Sequence, residues 1–229
     1  MLSSKIEFIT EEDHWGIIPE PYPAQQYLPK WYKALPHYAG EQRHADGTVK
    51  RCVPFLEAFS QGFIIPLAGD VEIVMSDNGK TVTTSSAFYD KIIGIHPEFQ
   101  LGPNTPFKSP ALKFSNFWAI KVPKGWSVLF VPPLNRPHAT FECFSGVVEC
   151  DRYFNYINFP FFMKDLRFRG IIPQGTPIIQ AIPFKRVSAT LKCRLGKLAD
   201  ISQLRLITKK LLAHGSYYRN ILWSKRDKS

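Results

Sequence analysis

Between Thr48 and Arg186 the chain breaks into short apolar runs separated by turn residues, and this punctuation constrains the fold more than any other feature. The runs are Gly62–Leu67, Val71–Met75, Lys80–Phe88, Leu112–Phe117, Trp118–Val122, Ser127–Val131, Thr140–Cys143, Gly146–Cys150, Tyr156–Phe161 and Pro177–Ile182. Each is too short for a core helix and suits a strand. The separators carry the residues that reverse a chain: Ser76-Asp77-Asn78-Gly79 is a hairpin signal, and Pro123-Lys124-Gly125, Pro132-Pro133 and Pro173-Gln174-Gly175 are further turns. Strands at this spacing, without helices between them, predict an all-β sandwich, jelly roll or small barrel rather than βαβ units. Eighteen Phe, 19 Pro and 14% aromatic residues agree with a β-rich body.

The flanks read differently, so three regions are expected: an arm over 1–50, a β domain over 51–186 and a helical segment over 187–229. In the arm, Pro19-Glu20-Pro21-Tyr22-Pro23 and Tyr27-Leu28-Pro29-Lys30-Trp31-Tyr32 are too rich in proline for long helices or central strands. An extended course is expected, with Trp15, Tyr22, Tyr27, Trp31 and Tyr32 anchored in grooves of the chain's own domain or of a neighbouring subunit. In the last region Leu198, Ile201, Leu204, Ile207 and Leu211 recur at three to four residues, Arg205, Lys209 and Lys210 lie between them, and Gly215 supplies a stop. That pattern predicts an amphipathic basic helix whose apolar stripe docks on the β body, with a short second helix through Ser216–Trp223.

The formal charge of +10 resides in the stretch from Lys185 to Ser229. From Lys185 onward there are twelve Lys and Arg against Asp200 and Asp227, whereas the rest balances seventeen basic against seventeen acidic residues. A polyanion or an acidic protein is the expected partner there, and no membrane; a solvated helical face that serves solubility is the alternative. Cys52, Cys143, Cys150 and Cys193 form no C-x-x-C pair and read as reduced thiols. No run approaches the ~18 apolar residues of a membrane span, and the first residues lack a signal-peptide core, so a cytoplasmic protein is expected.

Four stretches in order resemble the trimeric dUTPase and dCTP deaminase superfamily. Gln61-Gly62-Phe63-Ile64-Ile65-Pro66-Leu67-Ala68-Gly69-Asp70-Val71-Glu72-Ile73 is similar to its opening strand pair, and Val122-Pro123-Lys124-Gly125-Trp126-Ser127-Val128-Leu129-Phe130-Val131-Pro132 to the strand entering its phosphate turn. Gly146-Val147-Val148-Glu149-Cys150-Asp151-Arg152-Tyr153 is similar to its catalytic acidic strand, and Ile172-Pro173-Gln174-Gly175-Thr176-Pro177-Ile178-Ile179-Gln180 to a later strand. The likeness covers about half the chain and implies a dUTPase-like (β-clip or jelly-roll type) sandwich, an oligomer (a trimer by resemblance) and sites between subunits. The site itself departs from the family: Ile64 stands where an Asp is expected, and Pro133-Leu134-Asn135-Arg136 replaces the Arg-Ser-Gly turn, with a proline that has no N–H to offer. Tyr153 is displaced by one residue, and the Gly-rich C-terminal arm is replaced by the basic helix.

The resemblance therefore implies a modified pocket that binds a nucleotide or other phosphorylated ligand, with Glu149 and Asp151 as a catalytic or Mg²⁺-holding pair and Asn135, Arg136, Tyr153 and Gln180 as ligand contacts. The alternative is a non-enzymatic structural or interaction protein in which arm and helix tie subunits or partners together; whether the chain is an enzyme stays open. The Tyr-Leu-Pro-Lys-Trp-Tyr stretch, Arg51-Cys52-Val53-Pro54-Phe55 and Ile182-Pro183-Phe184-Lys185-Arg186 also resemble proteins of tailed phages and some bacteria, which would place the chain in a host cytoplasm or a virion. A rival reading puts His138 and Glu142, with His96-Pro97-Glu98, at a cupin-like metal site, although Thr140 occupies the place of a cupin's second His. A Cys143 or Cys150 nucleophile near His138 is the weakest reading, since buried strand thiols are inert. No G-x-S-x-G, P-loop or H-E-x-x-H motif occurs.

Overall fold

The computed structural model describes residues 5–40, 46–96, 102 and 110–224. In chain order its strands are β1 (Glu7–Ile9), β2 (Tyr22–Pro23), β3 (Tyr38–Ala39), β4 (Asp46–Gly47), β5 (Phe63–Pro66), β6 (Val71–Met75), β7 (Val82–Ser85) and β8 (Ile93–Ile95). They continue as β9 (Leu112–Phe114), β10 (Ala119–Lys121), β11 (Trp126–Val131), β12 (Phe141–Cys143), β13 (Gly146–Val148), β14 (Phe159–Met163), β15 (Arg169–Ile172) and β16 (Pro177–Lys185). Three α-helices accompany them: α1 (Lys30–Ala34), α2 (Val53–Ser60) and α3 (Leu198–Ala213). The protein is mostly β, with several antiparallel sheets and a C-terminal helix. No described helix is long and apolar enough to cross a membrane.

The chain divides into two compact units. The first holds residues 5–33 and 58–186, and three sheets organise it, in the orders β13-β11-β16-β5-β2, β12-β14-β9-β8 and β15-β6-β7. Strand β6 shows how the sequence makes them: Val71, Ile73 and Met75 alternate inward while Glu72 points out, the period-two pattern of a half-buried strand. Its hairpin closes as expected, Gly79 taking φ +68° and donating its N–H to the Ser76 carbonyl at 2.8 Å. The core is continuous across the sheets and aromatic. Phe114 and Phe161 stack with centroids 3.9 Å apart, and Phe130 of β11 meets Phe159 of β14 at 5.4 Å.

The proline-rich beginning is woven into this unit. β1 pairs with β10, and β2 lies at an edge of the five-stranded sheet beside β5, where a strand can carry Pro23 without breaking a ladder. Ile18, Ala24 and Tyr32 are buried, and the Trp118 indole donates to the Pro19 carbonyl at 3.2 Å. Of the alternatives for the arm's aromatic residues, packing against the chain's own domain is the one found for Tyr32, whose ring lies 4.9 Å from that of Phe59.

The second unit comprises residues 34–57 and 187–224 of the described chain. Within it β3 pairs with β4, and the Arg51 guanidinium lies over the Tyr38 ring at 4.3 Å. The basic helix forms where its periodicity places it, as α3, with the Asp200 carboxylate accepting the Lys197 N–H at 2.9 Å at its start. The expected second helix is a single π-type turn over Tyr218–Leu222.

Candidate functional site

Strands β11 and β16 pair antiparallel from Trp126↔Lys185 to Val131↔Gln180, and Asp151 and Gln180 are engaged at opposite ends of this pair. At the first end the Pro123-Lys124-Gly125 turn delivers β11 with Gly125 at φ +83°. The Gly125 N–H donates to Asp151 Oδ2 at 2.8 Å, and the Arg186 N–H, just past β16, returns to the Gly125 carbonyl at 2.8 Å. The Arg186 guanidinium then grips Asp151 with two bonds, 2.9 Å to Oδ1 and 2.6 Å to Oδ2. It also donates to the Trp126 carbonyl at 2.6 Å and to Ser127 Oγ at 3.0 Å. The bidentate Arg186 contact, reinforced by the Gly125 N–H, holds the Asp151 carboxyl well below the usual carboxylate range. With its side chain 2% exposed, this carboxylate is occupied as a structural anchor.

Glu149 lies in the turn after β13 instead of on a strand, because pairing with β11 stops at Val148 and the Arg152 and Tyr153 N–H groups both turn back onto the Glu149 carbonyl. Its carboxylate is exposed, 3.8 Å from Arg186 and 3.7 Å from Arg152. Tyr153 occupies the same turn with its ring exposed. The strand alternation that would have set the faces of Glu149, Asp151 and Tyr153 therefore does not apply to them.

At the other end Gln180 is fully buried, and its amide is used on three backbone groups. Oε1 accepts the Leu134 N–H at 2.8 Å, while Nε2 donates to the carbonyls of Gln61 at 2.7 Å and Ala58 at 3.1 Å. Gly62 makes that approach possible: at φ +61°, a Cβ there would lie 2.0 Å from the Ala181 carbonyl oxygen. The turn that Gln180 holds puts Asn135 at φ +57° and directs Arg136 toward the N-terminal region. Arg136 Nη2 donates to the Ala24 and Phe59 carbonyls at 2.8 and 3.0 Å, and the guanidinium sits 5.1 Å from the Phe59 ring and 5.8 Å from the Tyr27 ring. Burial lowers its pKa, and its Nε and Nη1 are buried without a hydrogen-bond partner.

Beside this turn opens a cleft of about 400 Å³, lined among others by Pro132, Asn135, Arg136, His138, Phe141 and Ile178. His138 precedes β12; its Nδ1 accepts the Thr140 N–H at 3.2 Å and its ring lies 4.2 Å from that of Phe141. Burial, and then Lys164, lower its pKa and favour the neutral imidazole. Glu142 pairs with Lys164 at 3.5 Å. Among the described residues no three His, Cys, Asp or Glu side chains are grouped to hold a metal ion; Pro97, Glu98 and His44 lie outside those residues. Burial pushes the Cys150 thiol up to about 11 and Cys143 higher still, so neither offers a thiolate nucleophile.

The two groups of candidates do not converge within one chain. Five residue steps along β11 separate the Asp151 end from the Gln180 end, about 17 Å at the usual strand rise. The residue that sequence reasoning missed is Arg186, which decides what Asp151 does. The only signal for it was a cation immediately after the last apolar run. No protein-family model and no curated protein matches the chain, so these contacts alone carry the reading of its chemistry.

Proposed function

We propose that the protein is a non-enzymatic interaction protein: a β body on a dUTPase-like plan, oligomeric as that plan implies, whose former site has become structural, and a C-terminal basic segment that engages a partner. The observation that carries this reading is the state of Asp151. A carboxylate 2% exposed, with two guanidinium bonds and a backbone N–H on three of its roughly four acceptor sites, has little left to offer a metal, and it anchors the ends of β11 and β16. Glu149 is exposed and, with Asp151 taken up by Arg186, has no second free carboxylate in its turn with which to share a metal; its charged neighbours are Arg152 and Arg186. The test is incubation of the full chain with dUTP, dCTP and ATP plus Mg²⁺, following phosphate and pyrophosphate release. No release is expected, and hydrolysis abolished by Glu149→Gln would overturn the reading.

One observation favours a second reading, binding of a phosphorylated ligand at the other end. The cleft beside Asn135 and Arg136 is large enough for a small ligand, and two nitrogens of the Arg136 guanidinium, Nε and Nη1, have no acceptors for their N–H groups. Thermal shift separates the two readings: a bound nucleotide at ~100 times its dissociation constant stabilises by about 2.7 kcal/mol, and an Arg136→Lys variant would lose that shift.

A further inference from the structure

The C-terminal segment carries an apolar load with nothing inside the segment to bury it. No residue of α3 is buried, and Leu198, Leu204 and Leu212 are 83%, 61% and 83% exposed. At about 100° per residue, Ile201, Leu204, Leu211 and Leu212 fall within about 100° of arc, bordered on one side by Leu198, Arg205 and Lys209. The π-type turn that follows adds exposed Tyr218, Ile221 and Leu222, with Trp223 directly after it. The cations around this face are not neutralised locally: Asp200, the acidic residue of the described segment, is already engaged by Arg194 at 2.5 Å and by the Lys197 N–H.

An occupant must satisfy both the leucines and the cations. A second copy of the helix would set Arg205 and Lys209 against their own counterparts with no free carboxylate to separate them. Nucleic acid would cover the cations and leave the leucines in water. A negatively charged lipid surface covers both without a shaped groove: the leucines enter the acyl boundary, the Lys and Arg stems reach up to the phosphates, and Tyr218 and Trp223 suit the headgroup level.

We propose that residues 187–224 form a peripheral anchor that lies in the plane of an anionic membrane surface. This rests on the interaction-protein reading above and supplies its partner. The proposal departs from the sequence-based expectation of no membrane contact, because the exposed leucines and the unneutralised cations of this segment lie together. The anchor lies on the membrane without crossing it, since no described helix is long and apolar enough to span.

The experiment is co-sedimentation of the full chain with phosphatidylcholine vesicles containing roughly 30% phosphatidylserine, against phosphatidylcholine alone. The expected result is partitioning at least about tenfold stronger with phosphatidylserine, weakened when salt is raised from about 50 to about 500 mM. Leu204→Ser with Leu212→Ser keeps every charge and should weaken partitioning about tenfold or more through lost apolar burial. Lys209→Gln with Lys210→Gln should weaken it while leaving the apolar face intact. The thermal transition of the β body should be unchanged in both variants. No preference for phosphatidylserine, or a Leu→Ser pair that binds as well as wild type, overturns the anchor. A 20-base-pair duplex, in arms run at about the same salt, separates the readings further. Duplex bound equally by wild type and the Ser pair, with no vesicle binding, would keep the interaction reading and reject the membrane. Leucine-dependent self-association in sedimentation velocity without vesicles would assign the face to a second copy. Binding to none of these would reject the anchor.

Discussion

Replacing Gln180 by leucine separates a structural role from a ligand-binding role. The side chain is fully buried, and its three bonds hold the 132–136 turn, the end of α2 and the start of β5 together. Gln180→Leu keeps nearly the same volume but offers neither donor nor acceptor. The part-buried Leu134 N–H, stripped of its acceptor, costs about 1–3 kcal/mol, and each of the two carbonyls loses a bond worth about 0.5–1.5 kcal/mol net. Added apolar burial offsets about 1 kcal/mol, which leaves a loss centred near 3 kcal/mol. For a body of this size that lowers the melting temperature by about 6–12 °C. Circular dichroism melts and urea titrations with a fixed m-value measure it. Gln180→Glu adds a sign: the carboxylate can still accept the Leu134 N–H but faces two carbonyl oxygens, so relative to wild type it is tolerated when protonated and loses stability as pH rises. A Gln180→Leu variant within about 0.5 kcal/mol of wild type would refute the reasoning and return Gln180 to the role of a ligand contact.

Three further outcomes are expected. Because Arg186 and Gly125 depress the folded pKa of Asp151, its contribution is present above the ordinary carboxylate range and is lost as pH falls through the depressed value; Asp151→Asn should therefore be less stable than wild type at neutral pH, with a gap in urea midpoint that narrows on acidification, and a pH-independent gap would contradict the ion pair. Gly62→Ala should destabilise the body by more than about 2 kcal/mol, since both the positive φ and the 2.0 Å approach to the Ala181 carbonyl forbid a Cβ; a neutral effect on the melting temperature would be evidence against that packing. In native protein a thiol reagent should modify exposed Cys52 and Cys193 quickly, while Cys143 and Cys150 react only on unfolding; fast labelling of all four by mass spectrometry would contradict their burial.

Much of the β architecture is legible from local chemistry. The Val71–Met75 strand, its Asn78-Gly79 hairpin, the Trp126–Val131 strand and the α3 helix all follow from period and turn residues acting over a few positions. The charge asymmetry is also a property of sequence alone, as is the absence of nucleophile and P-loop motifs. Other features depend on long-range partners. Glu7–Ile9 and Tyr22–Pro23 become strands because β10 and β5 offer open edges, and nothing local distinguishes them from an extended arm. The candidate site shows the same division. The sequence brings Glu149 and Asp151 within two residues of each other, and only the β11–β16 register, by carrying Arg186 onto Asp151, sends one carboxylate into an ion pair and leaves the other in solvent. That register also places Gln180 at the far end of the strand pair. A side chain's chemistry is set by the groups within hydrogen-bond reach of it. For Asp151 and Gln180 those groups lie from 26 to 122 residues away, at distances that tertiary pairing alone can close.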